Sequence, residues 1–438
     1  MIRNFIGLNR STDLKLALLW IGVAIMSLAQ EAPTSPKDFR VSLSVSPFAE
    51  QMFRAGMVFT DGKMTAQTTY ELQKMFNVHG ANEVYARIST RHQYTPGNGD
   101  HSLNRGLERA ALAKALGLAF NPEIGLFKAY GDVTCQPPPD FSDYHELKAP
   151  GEWTSLTLDQ MLPILRSYGA LVAREILNTG VKVRIWDLGN EVEYGFAGVA
   201  IQPASPQACA STEGAGWYKA PDAIDPSIGK MNFLQLSRMP EDERIRWLGA
   251  HLWLYEAKMF VAVADGIRAI EPSARFSTHL SGVSAVLPGQ GLAFYKAMRD
   301  GGFIPDELGF SFYPTSGHKN SPDAFKAFKA TAIAVQRELK RPVFIAEYSY
   351  PSAKMGAPFV WNTEVEGYPL TPEGQAAFTR DLVAWGAQSG VLSGIRPWAP
   401  DLAGPGWGPM SFFDLKGKTA IARTGLEAIV DSLRSKVR

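Results

Sequence analysis

Past residue 40, short runs rich in Val, Ile, Leu and Phe alternate with stretches of helical periodicity. That alternation restricts the chain to repeated βα units around a parallel sheet. Eight strand-like runs are read, near Arg54–Phe59, Glu83–Ile88, Ile124–Lys128, Val183–Leu188, Arg275–Leu280, Glu307–Tyr313, Pro342–Ala346 and Gly394–Trp398. The clearest helical stretches are Asn104–Leu116, Leu158–Asn178, Glu243–Ile270, Ser321–Leu339, Thr371–Gln388 and Thr424–Leu433. In Leu158–Asn178, Leu162, Leu165, Leu171, Val172 and Ile176 recur at helical spacing, and Gly180 follows as a stop. Eight such units predict an α/β fold, a single (β/α)8 barrel over residues 41–438 with long loops on its carboxyl face. The longest insertion, Gly195 to Glu241, follows the fourth strand and is expected to wall the barrel mouth.

The amino-terminal segment reads as an export signal. Arg3, Arg10 and Lys15 precede the apolar run Leu16–Ala29, and the small residues Ser27 and Ala29 suit cleavage before Gln30. The run is shorter than the roughly 18 residues of a membrane span. Residues 1–29 are therefore expected to be a signal peptide and 30–40 a linker, with a secreted or periplasmic product. Lys+Arg is 44 and Asp+Glu is 43, a net charge of +1, which offers no basic surface for nucleic acid and suits a neutral partner. The only cysteines are Cys135 and Cys209. They form one bridge or remain two thiols, and no Cys/His spacing suggests zinc. A monomer without cofactor is expected.

Two of the strands end in a glutamate. VKVRIWDLGNEVEYG (181–195) stops at Glu191, and PVFIAEYSYP (342–351) stops at Glu347. The carboxyl ends of barrel strands are where catalytic groups sit. Two carboxyls about 5–5.5 Å apart can cleave a glycosidic bond with retention of configuration, one as acid/base and one as nucleophile. On this reading Glu191 is the acid/base, Glu347 the nucleophile, and Asn190 holds a sugar hydroxyl.

These motifs resemble glycoside hydrolase family 53, the arabinogalactan endo-β-1,4-galactanases, in the clan of retaining (β/α)8 enzymes. The resemblance spans roughly residues 50–425 and rests on GNEVEYG (189–195), LGFSFYPTSG (308–317), PVFIAEYSYP (342–351), YPLTPEGQAAF (368–378), GIRPWAP (394–400) and SFFDLKGK (411–418). It implies the same roles for Glu191 and Glu347. It further implies that Arg87 binds the nucleophile carboxylate, that the Tyr313 hydroxyl orients Glu347, that His279 lies near the acid/base, and that Trp398 forms a sugar platform. Trp361 and Trp407 are weaker platform candidates. The third strand departs from the family: in IGLFKAYGD, Tyr130 and Asp132 are kept, the family's His and Ser are not, and Lys128 stands nearby. Family members carrying structural calcium hold it near the last two strands. Asp401 and Asp414 lie there without compact spacing, so a structural calcium stays open and no metal is assigned. The substrate expected is a neutral plant-type β-galactan. A β-mannanase or β-xylanase of the same clan, or a barrel that only binds carbohydrate, are the alternative readings.

Overall fold

Eight parallel strands surround one axis in the computed structural model, which describes residues 38–94, 99–205, 209, 223–317 and 322–434. They are β1 (Arg40–Val41), β2 (Glu83–Ile88), β3 (Ala119–Ile124), β4 (Trp186–Leu188), β5 (Phe276–Leu280), β6 (Glu307–Phe312), β7 (Val343–Tyr348) and β8 (Leu392–Pro397). The hydrogen-bonded order runs β1-β8-β7-β6-β5-β4-β3-β2, all parallel. The seam between β1 and β2 is closed by Asn82 N donating to Val41 O (3.1 Å) and Tyr85 N donating to Ser44 Oγ (2.8 Å). The result is a nearly closed (β/α)8 barrel.

Outside it lie α1 (Thr69–Val78), α2 (Leu103–Ala115), α3 (Leu158–Asn178), α4 (Leu254–Arg268), α5 (Pro288–Asp300), α6 (Ala324–Leu339), α7 (Pro372–Ser389) and α8 (Thr424–Arg434). Their starts are set by local chemistry. Thr68 Oγ1 accepts the Glu71 N–H at the head of α1, and Thr371 does the same for Gly374 before α7, with Pro372 at the first helical position. Their inner faces pack against the outward side chains of the strands, as Ile88 does against Gly106 of α2.

Two expectations need correction. The first barrel strand is not Arg54–Phe59: Arg54 ends a short helix (Ala49–Arg54), and Val58–Thr60 joins a separate four-stranded sheet with Thr65–Ala66, Phe413–Lys416 and Thr419–Ala422. The barrel strand is β1, so the expected linker reaches into the barrel at Arg40. The third strand runs Ala119–Ile124, not Ile124–Lys128. The described start of the long insertion, Gly195–Ile201, is buried and carries a two-stranded ribbon at Gly195–Phe196 and Val199–Ala200. The expected signal peptide lies outside the described residues. No described helix is long and apolar enough to cross a membrane.

The barrel axis is charged. Arg40 pairs with Glu83 (2.8 Å) and with Glu307. Above it Arg396 pairs with Glu123 (2.9 Å) and Asp187 (3.1 Å), and above that Arg87 pairs with Glu123 and Glu347. All three arginines are buried. Burial pushes the Asp187 carboxyl up, but His279 and Arg396 outweigh it and bring it down to about 2. Such a column is stable only while complete, because removing one partner of a buried pair costs about 3–5 kcal/mol.

Candidate active site

The uppermost layer of that column is the site. At the end of β4 the chain turns through Gly189, whose φ is +76° and whose added Cβ would lie 2.3 Å from Val192. Asn190 and Glu191 follow, and Glu191 itself sits at φ +50°, ψ +58°. This left-handed conformation costs a non-glycine residue about 1–3 kcal/mol and persists only where the surroundings impose it. Gln136 Nε2 donates to Asn190 O (2.6 Å) and Glu191 O (3.3 Å), and Val133 N donates to Glu191 Oε2 (3.2 Å). Across the mouth, Glu347 lies near the end of β7. The registers with β6 and β8 both shift beside it, between Phe310 and Ser311 and between Ile345 and Tyr348. Bulges of this kind re-aim side chains at strand ends.

Arg87 joins the two sides. Its Nη2 donates both to Asn190 Oδ1 (2.7 Å) and to Glu347 Oε1, while Nε donates to Glu123. The Tyr313 hydroxyl donates to Glu347 Oε2 (2.7 Å). Asn190 Oδ1 also contacts His279 Nε2 at 2.8 Å. Because Arg87 can only donate, Oδ1 is the amide oxygen, so His279 must carry a hydrogen on Nε2. Asn190 Nδ2 donates to Gly131 O (2.7 Å), leaving one amide hydrogen free.

Electrostatics separate the two glutamates. Burial, then the negative charges of Glu347, Asp132 and Glu193, pushes the Glu191 carboxyl well above the usual carboxylate range. Asp132 is likewise raised, mainly by burial. Glu347 instead meets a guanidinium and a phenol.

The structure thus brings Glu191, Glu347, Arg87, Asn190 and Tyr313 into one cluster. His279, expected near the acid/base and as a substrate contact, lies against Asn190 but is fully buried beneath it, with Nδ1 3.5 Å from Asp187, and shows no surface to a substrate. Arg87, 2 % exposed, acts on neighbours rather than on open space. Trp398 is 8 % exposed, packed edge-on against Trp407 (5.0 Å) and Phe48 (6.1 Å), and shows little free face. Trp361 is half-buried and stands 5.2 Å from Tyr313. Trp407 is buried.

Lys128 lies on the rim of a separate pocket of about 660 Å3 bounded by Pro137–Phe141 and Trp153, away from the two glutamates. Cys135 and Cys209 are bridged, tying the long insertion to the β3–α3 loop. Closing a loop of this length stabilises by about 4 kcal/mol.

Asp401 accepts the Ser46 N–H (3.1 Å), with its carboxyl pushed by burial to about 6, while Asp414 pairs weakly with Arg423. They have separate partners and form no common ligand set. Glu123, Asp187 and His279 cluster within 4.8 Å, but arginines already occupy the two carboxylates, so the set does not suit a metal.

Sequence reasoning missed Gln136, Glu193, Glu123, Asp187 and Arg396. The last three were signalled by charges inside strand-like runs, in NPEI, IWDL and GIRP.

Comparison with known proteins bears on this geometry. The family model described as Glycosyl hydrolase family 53 matches residues 239–418. No curated protein matches the chain. The fold is similar to the Ignisphaera aggregans GH53 catalytic domain, at 17% identity and a TM-score of 0.65 over 91% of this chain and 98% of that one. It is similar also to a structure described under two fungal β-1,4-galactanases, at 17% identity and a TM-score of 0.63 over 90% and 99%. These likenesses establish the barrel. The segment that matches the family model holds β5 to β8 with Glu347, Tyr313 and Trp398.

Proposed function

We propose that the protein is a retaining, endo-acting glycoside hydrolase for β-1,4-galactan or an arabinogalactan-type polysaccharide, working by double displacement. One observation carries the reading: a single arginine nitrogen links Asn190 beside Glu191 to Glu347, so two strand-end glutamates, one with a raised carboxyl and one held by an arginine, lie together at the barrel mouth. Glu347 attacks the anomeric carbon while Glu191 protonates the leaving oxygen. Glu191, then a carboxylate, takes a proton from the water that releases the sugar. Arg87 and the Tyr313 hydroxyl fix the attacking oxygens, and the free amide hydrogen of Asn190 reaches the 2-hydroxyl. His279 serves by holding Asn190, not by touching sugar. Export is supported by the amino-terminal pattern and by the disulfide, a bond of oxidising compartments. The acting species is read as a monomer.

A panel of unbranched polysaccharides tests the substrate. Short oligosaccharides should appear from β-1,4-galactan and not from mannan or xylan, with the anomeric configuration of the first product retained. Release from mannan or xylan instead would transfer the protein to another glycanase class. Binding without release from any of them would make it a carbohydrate-binding barrel.

A further inference from the structure

Glu191 is held in an unfavourable backbone conformation, and part of what holds it lies two residues along the chain. Glu193 sits in the single turn Val192–Tyr194 and is completely buried. Its Oε1 accepts from the Ser281 hydroxyl and from Ser284 Oγ (2.9 Å). Both of its oxygens face the Ser281 N–H, at 3.1 and 3.0 Å. Ser281 directly follows β5. The Glu193 carbonyl accepts the Trp253 indole N–H (2.9 Å), from the segment that leads into α4. Next to it, Gln290 of α5 donates to both the Tyr194 hydroxyl (2.9 Å) and Ser284 Oγ (2.9 Å).

We infer that Glu193 is a positioning residue for catalysis: its carboxyl latches the end of β4 to the end of β5 and so keeps the Glu191 backbone left-handed and its carboxyl aimed at the leaving oxygen. Glu193 touches no substrate. Without the latch, the turn is free to relax to an ordinary φ, and the Glu191 carboxyl leaves its place. A displacement of about 1 Å at a reacting group lowers rate by up to about 100-fold.

The inference rests on Glu191 being the proton donor, and its test separates the two. Glu193→Ala is assayed on a β-1,4-galacto-oligosaccharide and on the dinitrophenyl glycoside of the same glycone, whose leaving group needs no proton. With the oligosaccharide, kcat should fall about 10-fold to 100-fold with KM little changed. The rapid burst of dinitrophenolate should survive. Glu193→Gln retains one oxygen facing Ser281 and Ser284 and should restore most of the lost rate. Equal losses on both substrates, or no loss on the oligosaccharide in a folded variant, would overturn the inference. Should Glu193→Ala fail to fold, Ser284→Ala is read in the same pair of assays. It should slow the oligosaccharide alone, by about 3-fold, as expected for one hydrogen bond, and an unchanged ratio between substrates overturns the latch. A wild-type protein inactive on both galactosides would instead indict the substrate reading.

Discussion

On the β7 side of the mouth and along the axis below it, Glu83, Glu307, Glu123, Asp187 and Glu347 share Arg40, Arg396 and Arg87. On the β4 side, Glu191, Glu193 and Glu256 are buried and Asp132 partly so, and none of the four makes an ion pair among the described residues. All four have carboxyls raised above the usual range, chiefly by burial. Glu256, on α4, has neither oxygen hydrogen-bonded. The same functional group is therefore given two kinds of surroundings a few residues apart. One set of carboxyls is matched with cations, and the other is left in a medium that favours the neutral acid. The proposed double displacement needs one of each, and the proposed division of labour follows from where the arginines are.

The largest test of that contrast is Glu347→Ala. Turnover of polysaccharide should fall by about 10^5-fold or more, as when other covalent nucleophiles are removed. Added azide should restore part of it, with an inverted product seen by NMR. Full activity in this variant would remove the β7 side from the chemistry.

Glu191→Ala comes next. The loss on polysaccharide should be about 10^2-fold to 10^4-fold, the usual worth of a general acid, and far smaller in the first step with a dinitrophenyl leaving group. In the wild type, the raised pKa of Glu191 keeps its carboxyl protonated above the ordinary carboxyl range, so kcat/KM should decline only as pH climbs past that displaced value. The variant, assayed on the activated substrate, should lose this alkaline decline. A profile that stays unchanged would assign the proton to another group.

The smallest effect concerns stability. In the folded chain Glu256 holds its proton more tightly than in the unfolded chain, where it titrates near 4.3. Between that pH and its raised folded value, the folded state carries a proton that the unfolded state has lost, so stability decreases as pH rises through the window. Glu256→Met should raise Tm at pH 7 by about 1–2 °C, with less gain at pH 4. A lower Tm at both pH values would mean that this carboxyl has a partner after all.

The alternation of strands and helices was legible because the outward faces of β2, β5, β6, β7 and β8 carry ordinary β-branched and aromatic residues. Two strands were misplaced for one physical reason. Barrel interiors are usually filled by branched apolar side chains, whereas this one points Arg40, Asn121, Glu123 and Asp187 inward. Hydropathy therefore discounted RVSLSVS at 40–46 and favoured the more apolar MVF at 57–59. It also passed over FNPEI, where Pro122 resembles a turn, and moved the third strand to the apolar residues that follow. The strand-end glutamates stood out because apolar runs stop at them. Glu193 and Gln136 did not, since their partners Ser281, Ser284 and the Asn190 carbonyl are brought to them only by closure of the barrel.

The bridge between Cys135 and Cys209 encircles the whole of α3 and β4, and with them Glu191, whereas Glu347 falls outside the loop it closes. The Glu191 half of the mouth is thus sewn by a covalent stitch that the Glu347 half does without. Chain made in a reducing compartment would have its β7 rim held by ion pairs as usual, while its β4 rim would have to assemble from hydrogen bonds alone.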